Sequence, residues 1–194
     1  MQLITVISTQ NVERMKQKAR KLKREKAITH TQALDEVAKA ARFNHWHEVV
    51  QANAHFIPAE TAFAEGYVLA FDTKDGMDID TSDGVLIEDH LLEMLTQHQL
   101  FEIYSNFIDE EDLQGRPLKE IYPDDELREN FVDESTFMFF RLNDAKDKSL
   151  KDVLALTRQY SFWPPFYIWL KGELIDTRNL PVEDDSGNTV GFRF

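Results

Sequence analysis

Between Asn11 and Ala54 the chain repeats apolar residues at helical spacing in three successive runs, and the same stretch holds its one concentration of positive charge. At 100° per residue, Val12, Met15, Ala19 and Leu22 fall within an arc of about 80°. Arg14, Lys16, Lys18, Arg20, Lys21, Lys23 and Arg24 occupy the rest of the helix surface. One face therefore packs, and the remainder is a cationic surface. Ser8 or Thr9 can cap this helix, because a short hydroxyl side chain accepts from the free N–H groups of a first turn. Ahead of it, Leu3 to Ile7 is rich in β-branched residues and reads as a short strand.

Thr29 and Gln32 have the spacing of a capping box, which starts a second helix near Thr29 to Thr31. Ala33, Leu34, Val37, Ala38 and Ala41 form its apolar stripe. Arg42 to Asn44 marks a break, with Asn44 as the cap of a third helix from His45 to Ala54 that turns Trp46, Val49 and Val50 toward the other two. The alanines allow close helix approach.

The run Ile28-Thr29-His30-Thr31-Gln32-Ala33-Leu34-Asp35-Glu36-Val37-Ala38, followed by Phe43, Trp46, His47 and Val49, resembles the short helical segment of bacterial and plasmid proteins described as glyoxalase-superfamily-related. The resemblance covers about a fifth of the chain and lies in packing positions and caps. It implies a fold segment and a bacterial or mobile-element setting, and it carries no catalytic residues onto these positions. Arg42 stands where that family usually has glycine before the Phe. A strand, a basic helix and a Thr-capped second helix also resemble the ribbon-helix-helix DNA-binding fold. The ordinary form of that fold ends after its second helix, whereas this chain continues through Phe43 to Val50.

The formal charge of -13 conceals a division. Residues 1–57 carry ten Lys and Arg against five acids, a balance of +5, and residues 58–194 carry twelve against thirty, a balance of -18. Opposite signs in the two halves predict a basic surface for an anionic partner, or a basic segment that docks on acidic protein. We read 1–57 as a basic helical module and 58–194 as an acidic α+β domain, with Pro58 at the boundary.

In the second half, Gly66 to Asp72 reads as a strand, and Lys74-Asp75-Gly76 supplies turn chemistry for a hairpin into Met77 to Asp80. Ile87 to Tyr104 reads as a helix with Leu91, Met94 and Leu95 on its buried side. Asp109 to Ser135 holds eleven acids interrupted by Gly115, Pro117 and Pro123. It reads as loops with one or two short helices, one of them starting at Asp124 or Asp125. Thr136 to Leu142 predicts a buried strand, and Ser149 caps a helix to about Tyr160 with Leu150, Val153, Leu154 and Thr157 on one side. Trp163-Pro164-Pro165 is a rigid turn where a cis peptide is an option. Phe166 to Leu170 and Glu173 to Asp176 flank Lys171-Gly172 as a hairpin, and Thr189 to Phe194 alternates as a last strand after the turn Asp185-Ser186-Gly187-Asn188.

Chemistry is hard to find. The chain has no cysteine, which excludes disulfides and thiolate metal sites. His47-Glu48-Val49-Val50-Gln51 begins like the HExxH zinc signature but puts Gln where the second His must sit. His45 and His47 point about 160° apart on a helix. His90 and His98, with Glu93 and Glu102, could offer two imidazoles and a carboxylate. Asp78, Asp80, Asp83 and Gly84 fall short of a calcium loop, lacking its sixth-position Gly and terminal Glu, and read as a turn. Nucleophile-elbow, phosphate-loop and dinucleotide motifs are all missing.

The sequence thus predicts an α+β protein: an N-terminal three-helix module, then a mostly antiparallel sheet with two main helices. It predicts a non-enzymatic, cytoplasmic accessory or regulatory protein without cofactor, metal or membrane segment. Its contact surface is Arg14, Lys16, Lys18, Arg20, Lys21, Lys23 and Arg24, facing nucleic acid, DNA among the options, or an acidic protein. The alternatives are an acidic module that imitates nucleic acid toward a basic protein, and a small glyoxalase-type metalloenzyme.

Overall fold

The computed structural model describes residues 5–180. Leu3 and Ile4, the Asp185 to Asn188 turn and the Thr189 to Phe194 strand lie outside the described residues. The chain divides into two compact units, Met1–Thr61 and Ala62–Phe194.

The first unit is three helices. Helix α1 (Thr9–Lys26) is capped by Ser8, whose Oγ accepts from the Asn11 N–H at 3.3 Å. Helix α2 (His30–Ala40) opens with the capping box foreseen at Thr29 and Gln32. Helix α3 (Trp46–Glu65) is twice the expected length. Residues 5–7 form no strand. Ile7 instead packs against a helical core of Val12, Met15, Ala38 and Val49, and its carbonyl accepts from Asn53 at 3.0 Å. The ribbon of a ribbon-helix-helix is thus missing from these residues.

Four further expectations give way here. Pro58, expected beyond the end of this helix, lies inside α3. Proline forfeits one helical hydrogen bond and crowds the preceding turn, but Val49, Ala52, Phe56 and Ala59 form one buried stripe that runs through the position and offsets that cost. Val50, about 100° from that stripe, is exposed. Asn44 does not cap α3. His45 does, its Nδ1 accepting from the Glu48 N–H at 3.3 Å, while the Glu48 carboxylate folds back to accept from Asn44. Ala41 follows the end of α2 and is exposed.

Among the described residues the second unit is a five-stranded antiparallel sheet with helices on both faces. Its strands are β1 (Tyr67–Asp72), β2 (Leu86–Glu88), β3 (Phe137–Leu142), β4 (Tyr167–Leu170) and β5 (Glu173–Asp176), in the order β2-β3-β1-β4-β5. The helices are α4 (Thr73–Gly76), α5 (Leu91–Ser105), α6 (Leu118–Ile121), α7 (Asp124–Glu134) and α8 (Leu150–Thr157). Side chains alternate across a strand. Tyr67, Leu69 and Phe71 of β1 therefore join Phe140, Leu142 and Ile168 on one face, into which α8 inserts Val153 and Leu154. Val68, Ala70, Phe139 and Trp169 form the other face, also buried, and α5 lies there against β3. The observed architecture is α+β, with three helices ahead of the sheet.

The hairpin expected after β1 does not form. Asp72 accepts from the Lys74 N–H at 2.8 Å and caps the single turn α4, while β1 pairs with β3 and β4 instead. That turn presses on the sheet so closely that a Cβ on Gly76 would sit 2.8 Å from the Met138 Cβ. Residues 86–88 belong to β2, so α5 begins four residues later than expected. Its buried side is Leu92, Thr96, Leu100 and Tyr104, with Met94 exposed. The β4–β5 hairpin forms as read, with Lys171 and Gly172 both at positive φ as a type I′ turn requires. Every described peptide bond is trans, including those at Pro164 and Pro165.

Tyr104 gives the second unit a pH-dependent contact. Burial among Phe107 and Phe131, then a hydrogen bond to Glu134 at 3.1 Å, push its phenol up to about 12. The folded state thus holds the proton more tightly than an unfolded chain, whose phenol ionises near 10. Its contribution to stability is whole below pH 10 and is lost as pH rises through about 12. In an ultraviolet titration of tyrosinate, Tyr104→Phe is expected to remove the most alkaline step. A difference curve centred near pH 10 would contradict this.

Candidate nucleic-acid interface

The seven cations are brought together because α1 is a single straight run with one packed arc. Val12, Met15 and Ala19 are buried against α2 and α3, and Leu22 is half-buried. Ala19 and Ala33 are wholly enclosed, which lets the α1 and α2 backbones approach. That leaves Arg14, Lys18, Arg20, Lys21, Lys23 and Arg24 exposed and Lys16 half-buried.

Pairing separates them. Lys16 Nζ lies 2.6 Å from Glu13 Oε1, and Lys21 Nζ lies 3.8 Å from Glu25 Oε1. A third lysine of the helix, Lys26, reaches Glu36 of α2 at 2.6 Å. Arg14, Lys18, Arg20, Lys23 and Arg24 contact no carboxylate within 4.0 Å among the described residues. With Val12 at 0° the packed arc centres near 320°, which puts the outward crest near 140°. Gln17 sits on that crest, with Arg24 and Lys21 close to it. Arg14 and Lys18 form one flank at about 200–240°, and Lys23 and Arg20 form the other at about 20–80°. Unpaired cations thus stand on both flanks. Arg14, Lys23 and Arg24 have neighbours of the same sign within one turn, an arrangement that costs a few tenths of a kcal/mol per pair without an anionic partner.

The histidines and acids considered for metal sites are otherwise engaged. Glu48 holds Asn44, and its carboxyl lies below its ordinary range because of those hydrogen bonds. His90 stands 3.7 Å from Glu88 and His98 stands 3.8 Å from Glu102, at separate exposed places. Asp80 and Asp83 accept from the backbone of Ser82 and Val85, and Asp83 also takes the Tyr160 hydroxyl. Among the described residues no three His, Asp or Glu side chains converge as metal ligands would.

Sequence reasoning missed two features of the second unit. Asp89, buried at the start of α5, accepts from the Leu91 N–H and lies 3.0 Å from Arg141 Nε. That contact is electrostatic and poorly aligned as a hydrogen bond. Beside it opens a cleft of about 350 Å³ lined by Thr73, Asp89, Glu93, Leu100, Phe131 and Phe137. The one available signal was Arg141 itself, a lone cation in an otherwise apolar strand. The second feature is an apolar corner at Phe162, Trp163 and Phe166, with a hollow of about 270 Å³ beside Arg178.

No helix among the described residues is long and apolar enough to cross a membrane. The chain matches no known family model, no curated protein and no solved structure.

Proposed function

We propose that this is a non-enzymatic accessory or regulatory protein that binds nucleic acid through α1, with the acidic second unit limiting how tightly it does so. The observation that carries this reading is the set of five cations on one exposed helix with no carboxylate in contact among the described residues. A surface helix that served only for hydration would gain from alternating its charges, as Lys16 and Glu13 do. The overall charge of -13 opposes approach to DNA from a distance, yet at 0.15 M salt charges further than about 8 Å are largely screened. The near field is then set by the side chains of α1.

Anisotropy titration of the full chain against labelled nucleic acid tests this. Each phosphate neutralised on B-DNA contributes a slope of about -0.9 to log K against log salt. Five unpaired cations predict a slope of about -4 to -5 and a loss of about 10²–10³ in affinity between 50 and 200 mM salt. Salt-independent binding, or none at 50 mM, ends the reading.

A second reading rests on the acids of residues 109–134. Asp112 and Asp124 pair with Arg116 and Arg128, whereas Glu110, Glu111, Glu120, Asp125, Glu126, Glu129 and Asp133 are exposed with no cation within 4.0 Å among the described residues. Were that surface the working one, the chain would displace DNA from a basic protein and leave free DNA untouched.

A further inference from the structure

We infer that α1 recognises duplex DNA by lying in the major groove, with Gln17, Lys21 and Arg24 toward the base edges and the two flanks of cations against the opposing phosphate strands. The inference rests on the nucleic-acid reading above and adds to it the form of the ligand and the direction of approach.

Three features of the helix carry it. The first is the placement of unpaired charge on both sides of a crest. Arg14 and Lys18 lie on one side, Arg20 and Lys23 on the other, and none has a carboxylate in contact among the described residues. A flat or one-sided polyanion satisfies a single flank. A groove walled by two phosphate strands satisfies both.

The second feature is size. Helix α1 has 18 residues, about 27 Å at 1.5 Å per residue. Its packed side faces α2 and α3, and Glu13, Gln17, Lys21 and Arg24 on the opposite side are exposed. The major groove of B-DNA, about 12 Å wide, admits a helix of this diameter. The deep, narrow major groove of an RNA duplex does not.

The third feature is the chemistry of the crest. Gln17 and Arg24 are the side-chain types that make two parallel hydrogen bonds to adenine and to guanine respectively. They are seven residues apart, about 10 Å along the axis, which spans about three base pairs. Gln17 is the one uncharged residue between Met15 and Leu22 on the exposed surface, and an uncharged amide at the outermost point adds nothing to phosphate attraction. Among the described residues Arg24 contacts no carboxylate and Lys21 is held only at 3.8 Å by Glu25, so both can turn to a ligand.

The test uses the full chain with a DNA duplex and an RNA duplex of equal length, and selection of preferred sites from a randomised DNA pool. Binding at least tenfold tighter to DNA than to RNA is expected, along with protection of guanine N7, a major-groove atom, from methylation. Gln17→Ala and Arg24→Lys leave the charge of α1 unchanged, but each should relax base preference at one position and lower affinity for the selected site about tenfold. Lys18→Ala and Lys23→Ala should weaken all duplexes alike and reduce the salt slope by about one each. Helical circular dichroism of each variant confirms that the fold is kept. Equal affinity for the two duplexes, unprotected guanine N7, or unchanged preference in Gln17→Ala and Arg24→Lys would overturn the groove assignment and leave the nucleic-acid reading standing. Absence of any salt-sensitive binding removes both.

Discussion

Replacement of Trp169 by alanine is expected to destabilise the second unit by about 3–5 kcal/mol, enough to consume much of the 5–15 kcal/mol by which a domain is usually stable. Trp169 is fully enclosed at the middle of β4, paired across the sheet with Val68 of β1 and Leu174 of β5. Its ring packs at 6.3 Å from Phe139 and 6.2 Å from Tyr167, and its indole N–H donates to Gln99 of α5. Truncation would leave a cavity under a helix and strand an amide that has lost its donor. Trp169→Phe keeps most of the volume and should cost less than half as much. Urea unfolding provides the measurement: at 1–2 kcal/mol per molar, the alanine variant should lose about 2 M or more from its midpoint. A shift under about 0.5 M would mean that the aromatic cluster is not the core it looks to be. Met1–Thr61 has a separate core of Val12, Met15, Ala38 and Val49, so its helical signal should persist after the second unit has melted.

That cluster also shows what could be read in the sequence and what could not. Besides the α+β class, the features read correctly include those decided within four residues: the Thr29–Gln32 cap, Ser149 as a cap and the Lys171-Gly172 turn. The failures come where a local signal has two solutions and distant chain decides. Lys74-Asp75-Gly76 suits a hairpin turn and a capped helical turn equally. The second occurs because β1 finds its partners near Phe140 and Ile168, about 70 and 100 residues away. In α5 the buried Thr96 conceals the stripe. Its hydroxyl bonds to the Leu92 carbonyl, so a polar residue occupies a core position and the pattern shifts by one toward Leu91 and Leu95. Pro58 misled because proline reads as a stop, whereas burial of Phe56 and Ala59 holds the helix through it. The cations of α1 were legible because charge marks exposure and their i,i+3 or i,i+4 carboxylates can be counted. Lys26 meeting Glu36, and Asp89 meeting Arg141, needed the folded chain.

This distinction between paired and unpaired cations sets the second large effect. Lys18→Ala with Lys23→Ala and Lys16→Ala with Lys26→Ala each remove two positive charges, so the two double variants have the same net charge. Their expected behaviour differs. Among the described residues Lys18 and Lys23 have no carboxylate in contact, whereas Lys16 and Lys26 are each 2.6 Å from one. A cation already neutralised by a carboxylate releases few counterions when it meets a phosphate, so its removal costs little of that term even though it frees Glu13, on the exposed side of α1, or Glu36 of α2. At 0.1 M salt each phosphate contact is worth about tenfold through counterion release. Loss of Lys18 and Lys23 should therefore lower affinity for duplex DNA about 10²-fold and flatten the salt slope by about two, against a few-fold loss for the paired set. Anisotropy titrations of both variants over a salt series read the two quantities together. If the variants weaken equally, total charge governs binding and the pairing pattern on α1 is irrelevant to it. An unequal loss in the expected sense assigns the contact to the side chains that the fold leaves without a partner.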